Sequence, residues 1–198
     1  MNSFAATPAD AQADLDIGLS LKHGGRLFLK DIGALLIATL IAGALSIITL
    51  GILAGPLIAG LYGMVVGRVR DGRRPRVGDV FAGFDRFWAY FFAALVLAVL
   101  VGLASITIVG GFVLATIWLY VFPLMVDRRM RLGEAMKTSK DMVFAGGFWE
   151  HLALVLIGFA IGTVAHGILA VISMPFTIAV VAAAYFIVGG KAEALEKA

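Results

Sequence analysis

Apolar positions run unbroken through most of this chain. Residues 32–67, 87–126 and 151–190 contain no Asp, Glu, Lys or Arg, over 36, 40 and 40 residues. A helix of about 20 apolar residues crosses ~30 Å of hydrocarbon. Each stretch is too long for one crossing and suits two. The pattern predicts an all-α membrane protein with six transmembrane helices arranged as three hairpins, about 31–69, 88–127 and 150–190. The tips are expected near 49–56 (TLGILAGP), 106–112 (ITIVGGF) and 167–175 (GILAVISMP). The first pair is tight in 36 residues, and a re-entrant first hairpin is the rival reading. Pro56 and Pro175 suit helix starts, whereas Pro123 lies inside the fourth helix and predicts a kink.

The polar positions between the hairpins decide the topology. Every charge falls in the N-terminal segment, in 68–86, in 127–150 or at the C-terminal end, and none at a tip. Six crossings place those four segments on one side. Lys and Arg mark the cytoplasmic side, so both termini and both charged loops are expected in the cytoplasm. Residues 1–20 are expected to be a flexible tail, 21–190 the membrane domain, and 191–198 a C-terminal tail. Val77, Val80, Phe81, Phe84, Phe87, Trp88 and Phe91 follow helical spacing. Segments 76–88 and 131–145 are therefore expected to be amphipathic interfacial helices.

Small residues suggest how the helices meet. Gly51, Gly55, Ala59, Gly63 and Gly67 recur every four residues, and Gly158 and Gly162 mark the fifth helix. Small faces let helices approach closely in lipid. These seven are the expected packing interface, within the bundle or against another subunit.

Composition narrows the chemistry. Cysteine is absent, which excludes disulfides and thiol chemistry. The uncharged helices lack the carboxylates and cations of ion-coupled transport. Nothing matches a zinc-protease, nucleophile-elbow, phosphate-loop or dinucleotide motif. His166 is the one imidazole expected deep in hydrocarbon and a weak candidate ligand. No matching second ligand exists, so no cofactor or metal is expected. Arg68, Arg70, Arg73, Arg74 and Arg76 form a basic cluster suited to anionic lipid headgroups, each cation contributing ~1 kcal/mol near a charged surface. The cluster is too short and too close to the membrane for nucleic acid.

The two charged loops share a pattern. Residues 72–81 read GRRPRVGDVF and residues 127–136 read DRRMRLGEAM, followed by Phe87-Trp88 and Phe148-Trp149 respectively. Residues 22–30, KHGGRLFLK, form a weaker third copy. Together with Gly55-Pro56, Gly60-Leu61-Tyr62, Phe84, Trp118, Pro123, Asp127, Ser139 and Gly147, these motifs give a resemblance over roughly 50–190. The chain resembles a superfamily of uncharacterised bacterial six-helix inner-membrane proteins. The superfamily includes the membrane domain of some glycerophosphodiester phosphodiesterases. Where relatives are more polar and carry an Arg before Phe-Trp, this chain reads Phe144-Ala145-Gly146-Gly147. The resemblance implies fold and an inner-membrane location, and it carries no activity over.

The expected function is a non-catalytic accessory or scaffold subunit, packing against a membrane complex or itself and touching anionic lipid. The alternatives are a carrier of lipid or small apolar solute and, less favoured, a membrane enzyme.

Overall fold

A computed structural model describes residues 13–164 and 170–198. Among the described residues every regular element is helical. Helix α1 (Ile17–Lys30) precedes the first hairpin, α2 (Ile32–Ile48) and α3 (Ala54–Asp71). A 3-10 segment (Val77–Arg86) leads into α4 (Phe87–Ala104), α5 (Ile108–Ile117) and α6 (Val121–Asp127). Helix α7 (Leu132–Ala145) precedes α8 (Phe148–Val164), α9 (Ala170–Val188) and α10 (Ala192–Lys197).

Among the described residues three helices are long and apolar enough to cross a membrane: Val77–Ala104, Ile108–Asp127 and Val171–Val188. The number rises to five if α1 with α2, and α7 with α8, each count as one bent span. Their bends are 88° and 108°. At these angles α1 and α7 lie across the helices that follow them.

Helix α1 corrects the expected tail over 13–20. Asp16 caps it, accepting the Leu19 N–H at 2.8 Å. Ser20, His23, Gly24, Leu27 and Phe28 are buried, at the i, i+3, i+4, i+7, i+8 spacing of one helix face. That face packs on α9, where a Cβ at Gly24 would collide with the Val180 backbone. Upstream, the Leu15 N–H bonds the Gly146 carbonyl at 2.9 Å. The expected C-terminal tail is likewise ordered, as α10 with Leu195 buried.

The segment expected as an amphipathic α-helix at 76–88 is a 3-10 helix over most of its length. With three residues per turn, Phe81, Phe84 and Phe87 form one row while Val80 and Gly83 form another. The second row lies directly on α3. A Cβ at Gly60 would overlap the Val80 carbonyl, and one at Gly83 the Pro56 carbonyl. Two glycines thus permit backbone-to-backbone contact between the segment and α3.

At the expected kink near Pro123 the helix is interrupted over 118–120 within the Ile108–Asp127 span. Helix stops at Ile117 and restarts at Val121. Pro123 has no N–H for the Leu119 carbonyl, and its ring crowds the preceding turn. Ser139 of α7 fills the gap, accepting the Tyr120 N–H at 3.1 Å and donating to the Ile117 carbonyl at 2.8 Å.

The core sits at the charged end of the molecule. Every residue of α9 from Ile178 to Val188 is buried. The opposite end is open: Ile47, Ile48, Leu50, Ile106, Ile108 and Val109 are all exposed.

Candidate headgroup site and the polar chain behind it

The five arginines of the basic cluster occupy different surroundings. Arg68 faces inward, 3.3 Å from Asp31 at the α1–α2 corner, with side-chain exposures of 15% and 11%. The two oppose each other without hydrogen-bond alignment. Its expected headgroup role is corrected on that ground: the guanidinium joins α3 to the corner. Arg70 lies edge-on to Asp71 at 3.0 and 3.1 Å and reaches Asp127 at 3.5 Å. Arg73 pairs with Asp79 at 3.1 Å. Arg74 and Arg76 are exposed, with no ion pair among the described residues.

Beside these two cations lies an aromatic ladder. Phe81, Phe84 and Phe87 follow at centroid spacings of 5.9 Å, and Phe87 continues to Trp88 and Phe91. Phe81, Phe84, Trp88 and Phe92 are exposed. Phe144, Phe148 and Trp149 form a second such group at the α7–α8 corner.

The repeated loop motif performs the same local task twice. The Asp79 carboxylate accepts the Arg76 N–H at 2.8 Å, and Glu134 accepts the Arg131 N–H at 3.2 Å. Each acid sits three residues past the cap, where it satisfies a free donor and complements the helix dipole. The Arg131 N–H, and then its guanidinium, hold the Glu134 carboxyl below its ordinary value of 4.5. Arg129 of the second loop meets Asp85 of the first at 3.1 Å.

Behind this surface runs a buried polar chain that the sequence reading did not assemble. Asp127, at the end of α6, accepts the Tyr185 hydroxyl at 2.8 Å and faces Arg70. Tyr185 lies 6.1 Å from Tyr120, ring to ring, and Tyr120 lies 5.5 Å edge-on from His151. The His151 Nδ1 is bonded to the Gly147 carbonyl. The signal for this chain is weak, because Tyr120, Asp127, His151 and Tyr185 are scattered with no common spacing. Among the described residues no cluster of three or more His, Asp or Glu could hold a metal. His166 lies outside the described residues.

The expected small-residue interface divides. Gly55 packs under the Tyr90 carbonyl of α4, and Ala59 is buried. Gly63 meets only Val126, and Gly67 only the Arg73 side chain. Gly51 is corrected: it stands in the α2–α3 turn at φ +86°, outside both helices. Gly158 touches Thr177, while nothing lies within 4 Å of a Cβ at Gly162. The tightest positions, Gly60 and Gly83, fall outside the four-residue stripe.

Depressions of two kinds occur among the described residues. One, of about 430 Å³, opens at the charged end between Arg70, Gly190, Glu193 and Lys197. The other is apolar, about 20 Å³, between α1, α8 and α9. Compared with known proteins, the chain matches no family model, no curated protein and no solved structure.

Proposed function

We propose that the chain is a non-catalytic, multi-pass protein of the bacterial cytoplasmic membrane that serves as an accessory or scaffold subunit and holds anionic lipid on its cytoplasmic face. Three hairpins insert from that face, up to six crossings in all, with both termini in the cytoplasm. The carrying observation is the pairing of exposed Arg74 and Arg76, which make no ion pair among the described residues, with the exposed Phe81–Phe84–Trp88 ladder. An amphipathic segment with Phe and Trp on its apolar face lies at the headgroup–acyl boundary, which brings both guanidinium groups to lipid phosphates.

Support for a subunit role comes from small residues left open on the outer helices. Gly102 and Gly162 are exposed, and a Cβ at either would meet nothing within 4 Å among the described residues. A homo-oligomer or a larger membrane complex would cover them.

The test is lipid retention in native mass spectrometry, after extraction from bilayers of phosphatidylethanolamine and phosphatidylglycerol. Phosphatidylglycerol should be retained selectively. Arg74→Gln with Arg76→Gln should weaken retention about 30-fold, at ~1 kcal/mol per cation. Unchanged retention would overturn the lipid assignment, and a bare monomer in the same spectra would overturn the subunit role.

A further inference from the structure

We propose that the α2–α3 tip is a lipid-embedded turn: Ile47, Ile48, Leu50 and Ile52 sit among acyl chains of the leaflet opposite the charged loops, and the tip does not emerge into water. The proposal rests on the membrane placement above and adds what the tip touches.

The first observation is the side chain at the apex. Leu50 is 93% exposed and holds φ at +51°, in the left-handed region. That position ends α2, where Gly or Asn relieves the strain a Cβ creates. In water an exposed Leu there has neither conformational nor solvation advantage. Among acyl chains the side chain is well solvated and offsets the strain. Its neighbours Ile47 and Ile48 are 78% and 75% exposed.

The second observation is the backbone. Irregular chain is tolerated in hydrocarbon only where its polar groups are satisfied. Here every N–H from Thr49 to Ala54 has an acceptor within the turn. Thr49 bonds Leu45, Leu50 bonds Ile47, Gly51 bonds Ser46, Ile52 bonds Thr49 and Ala54 bonds Gly51, all through carbonyls at 2.7–3.1 Å. The Leu53 N–H takes the Thr49 hydroxyl at 3.3 Å, and that hydroxyl donates to the Leu45 carbonyl at 2.7 Å. The turn therefore leaves no N–H between Thr49 and Ala54 that needs water.

The third observation is reach. Helix α2 has 17 residues, about 25 Å at 1.5 Å per residue. The Asp31–Arg68 pair holds both cytoplasmic ends of the hairpin at the interface. From that depth the tip stops short of the far side of ~30 Å of hydrocarbon. The α4–α5 turn repeats the chemistry. Ile106 and Ile108 are 84% and 76% exposed, and the Ser105 and Thr107 hydroxyls bond local carbonyls.

The test uses the natural absence of cysteine. Leu50→Cys, Leu95→Cys on the outer face of α4, and Glu196→Cys on α10 would each carry an environment-sensitive fluorophore. The protein is reconstituted in phosphatidylethanolamine–phosphatidylglycerol vesicles, with iodide admitted to both sides. Leu50→Cys should show blue-shifted emission, quenched by nitroxide on the acyl chains and insensitive to iodide. Glu196→Cys should respond to iodide. Iodide quenching at Leu50→Cys, with nitroxide quenching at Leu95→Cys, would overturn this proposal and leave the membrane placement standing. Loss of nitroxide quenching at both would overturn the membrane placement itself. Insensitivity of Leu50→Cys to both quenchers would mean that protein covers the tip, which also overturns the proposal. Leu50→Asn gives a second measurement. Asn suits a left-handed position, so it raises the melting temperature if the tip is in water and lowers it if the tip is in hydrocarbon.

Discussion

Ser139 stands in for a missing turn of helix at Tyr120. Its hydroxyl accepts the Tyr120 N–H at 3.1 Å and donates to the Ile117 carbonyl at 2.8 Å. Ser139 and Tyr120 are both buried, so water cannot take over either bond. Ser139→Ala should destabilise the protein by about 2 kcal/mol, the cost of leaving buried groups unpaired. Ser139→Thr keeps the hydroxyl and should recover part of that loss. Thermal unfolding in nanodiscs checks both, and an unaffected Ser139→Ala would show that the break is held another way.

The glycines separate by what their missing side chains would meet. Gly60→Ala and Gly83→Ala each drive a methyl into a backbone carbonyl, Val80 and Pro56 respectively. Overpacking of this kind costs about 1–3 kcal/mol or more, since backbone cannot swing aside. Gly102→Ala meets nothing within 4 Å. In the single chain it should be neutral or stabilising by up to about 1 kcal/mol through helix propensity, and destabilisation would mark a partner packed over Gly102. A melting series over the three substitutions orders them directly.

Arg68 and Arg74 belong to one basic cluster, yet they should fail differently. Arg68→Gln leaves Asp31 without its partner at a site where both side chains are largely buried. It should lower the melting temperature and leave phosphatidylglycerol retention intact. Arg74→Gln should do the reverse. Lipid retention and melting measured on the same samples would separate the roles, and equal behaviour of the two would refute the division.

Glu134 supplies an acid dependence whose direction is set. Its carboxyl is held below the ordinary value by the Arg131 N–H and guanidinium. A depressed acid contributes its stability above the unfolded pKa and loses it as pH falls through the folded one. Wild-type protein should therefore lose more helix-end protection than Glu134→Gln between about pH 5 and about pH 3. Glutamine can still accept the N–H but has no charge to lose. Amide exchange at residues 131–135, compared between the two proteins, reads the difference.

Much of this molecule was legible in its sequence. Charge-free stretches of 36 and 40 residues with no apolar–polar alternation suit buried or lipid-facing helices, which satisfy their backbone within the segment away from water. The repeated Arg-x-Gly-acid pattern marked two helix starts, since a carboxylate three residues past a cap reaches back to it. The sequence reading treated 76–88 as α-helical because Val77, Val80, Phe81 and Phe84 fit both periods. Tertiary contact decided for three residues per turn, placing Gly83 against Pro56. The arginines looked alike for a similar reason, because proximity to Asp31, Asp127 or Asp79 arises only on folding.

The sharpest division lies between α4 and α9. Both are apolar on every side, and neither shows a face to orient it. In the structure 72% of the α9 span is buried against 11% of the α4 span. An all-round apolar helix is equally content beside protein or lipid, since side chains gain little by exchanging one for the other. The sequence by itself therefore determined that these segments are helices shielded from water. Only packing decided which became the core, through the close crossing of Gly24 over Val180 and the hydroxyl bond that ties Tyr185 to Asp127.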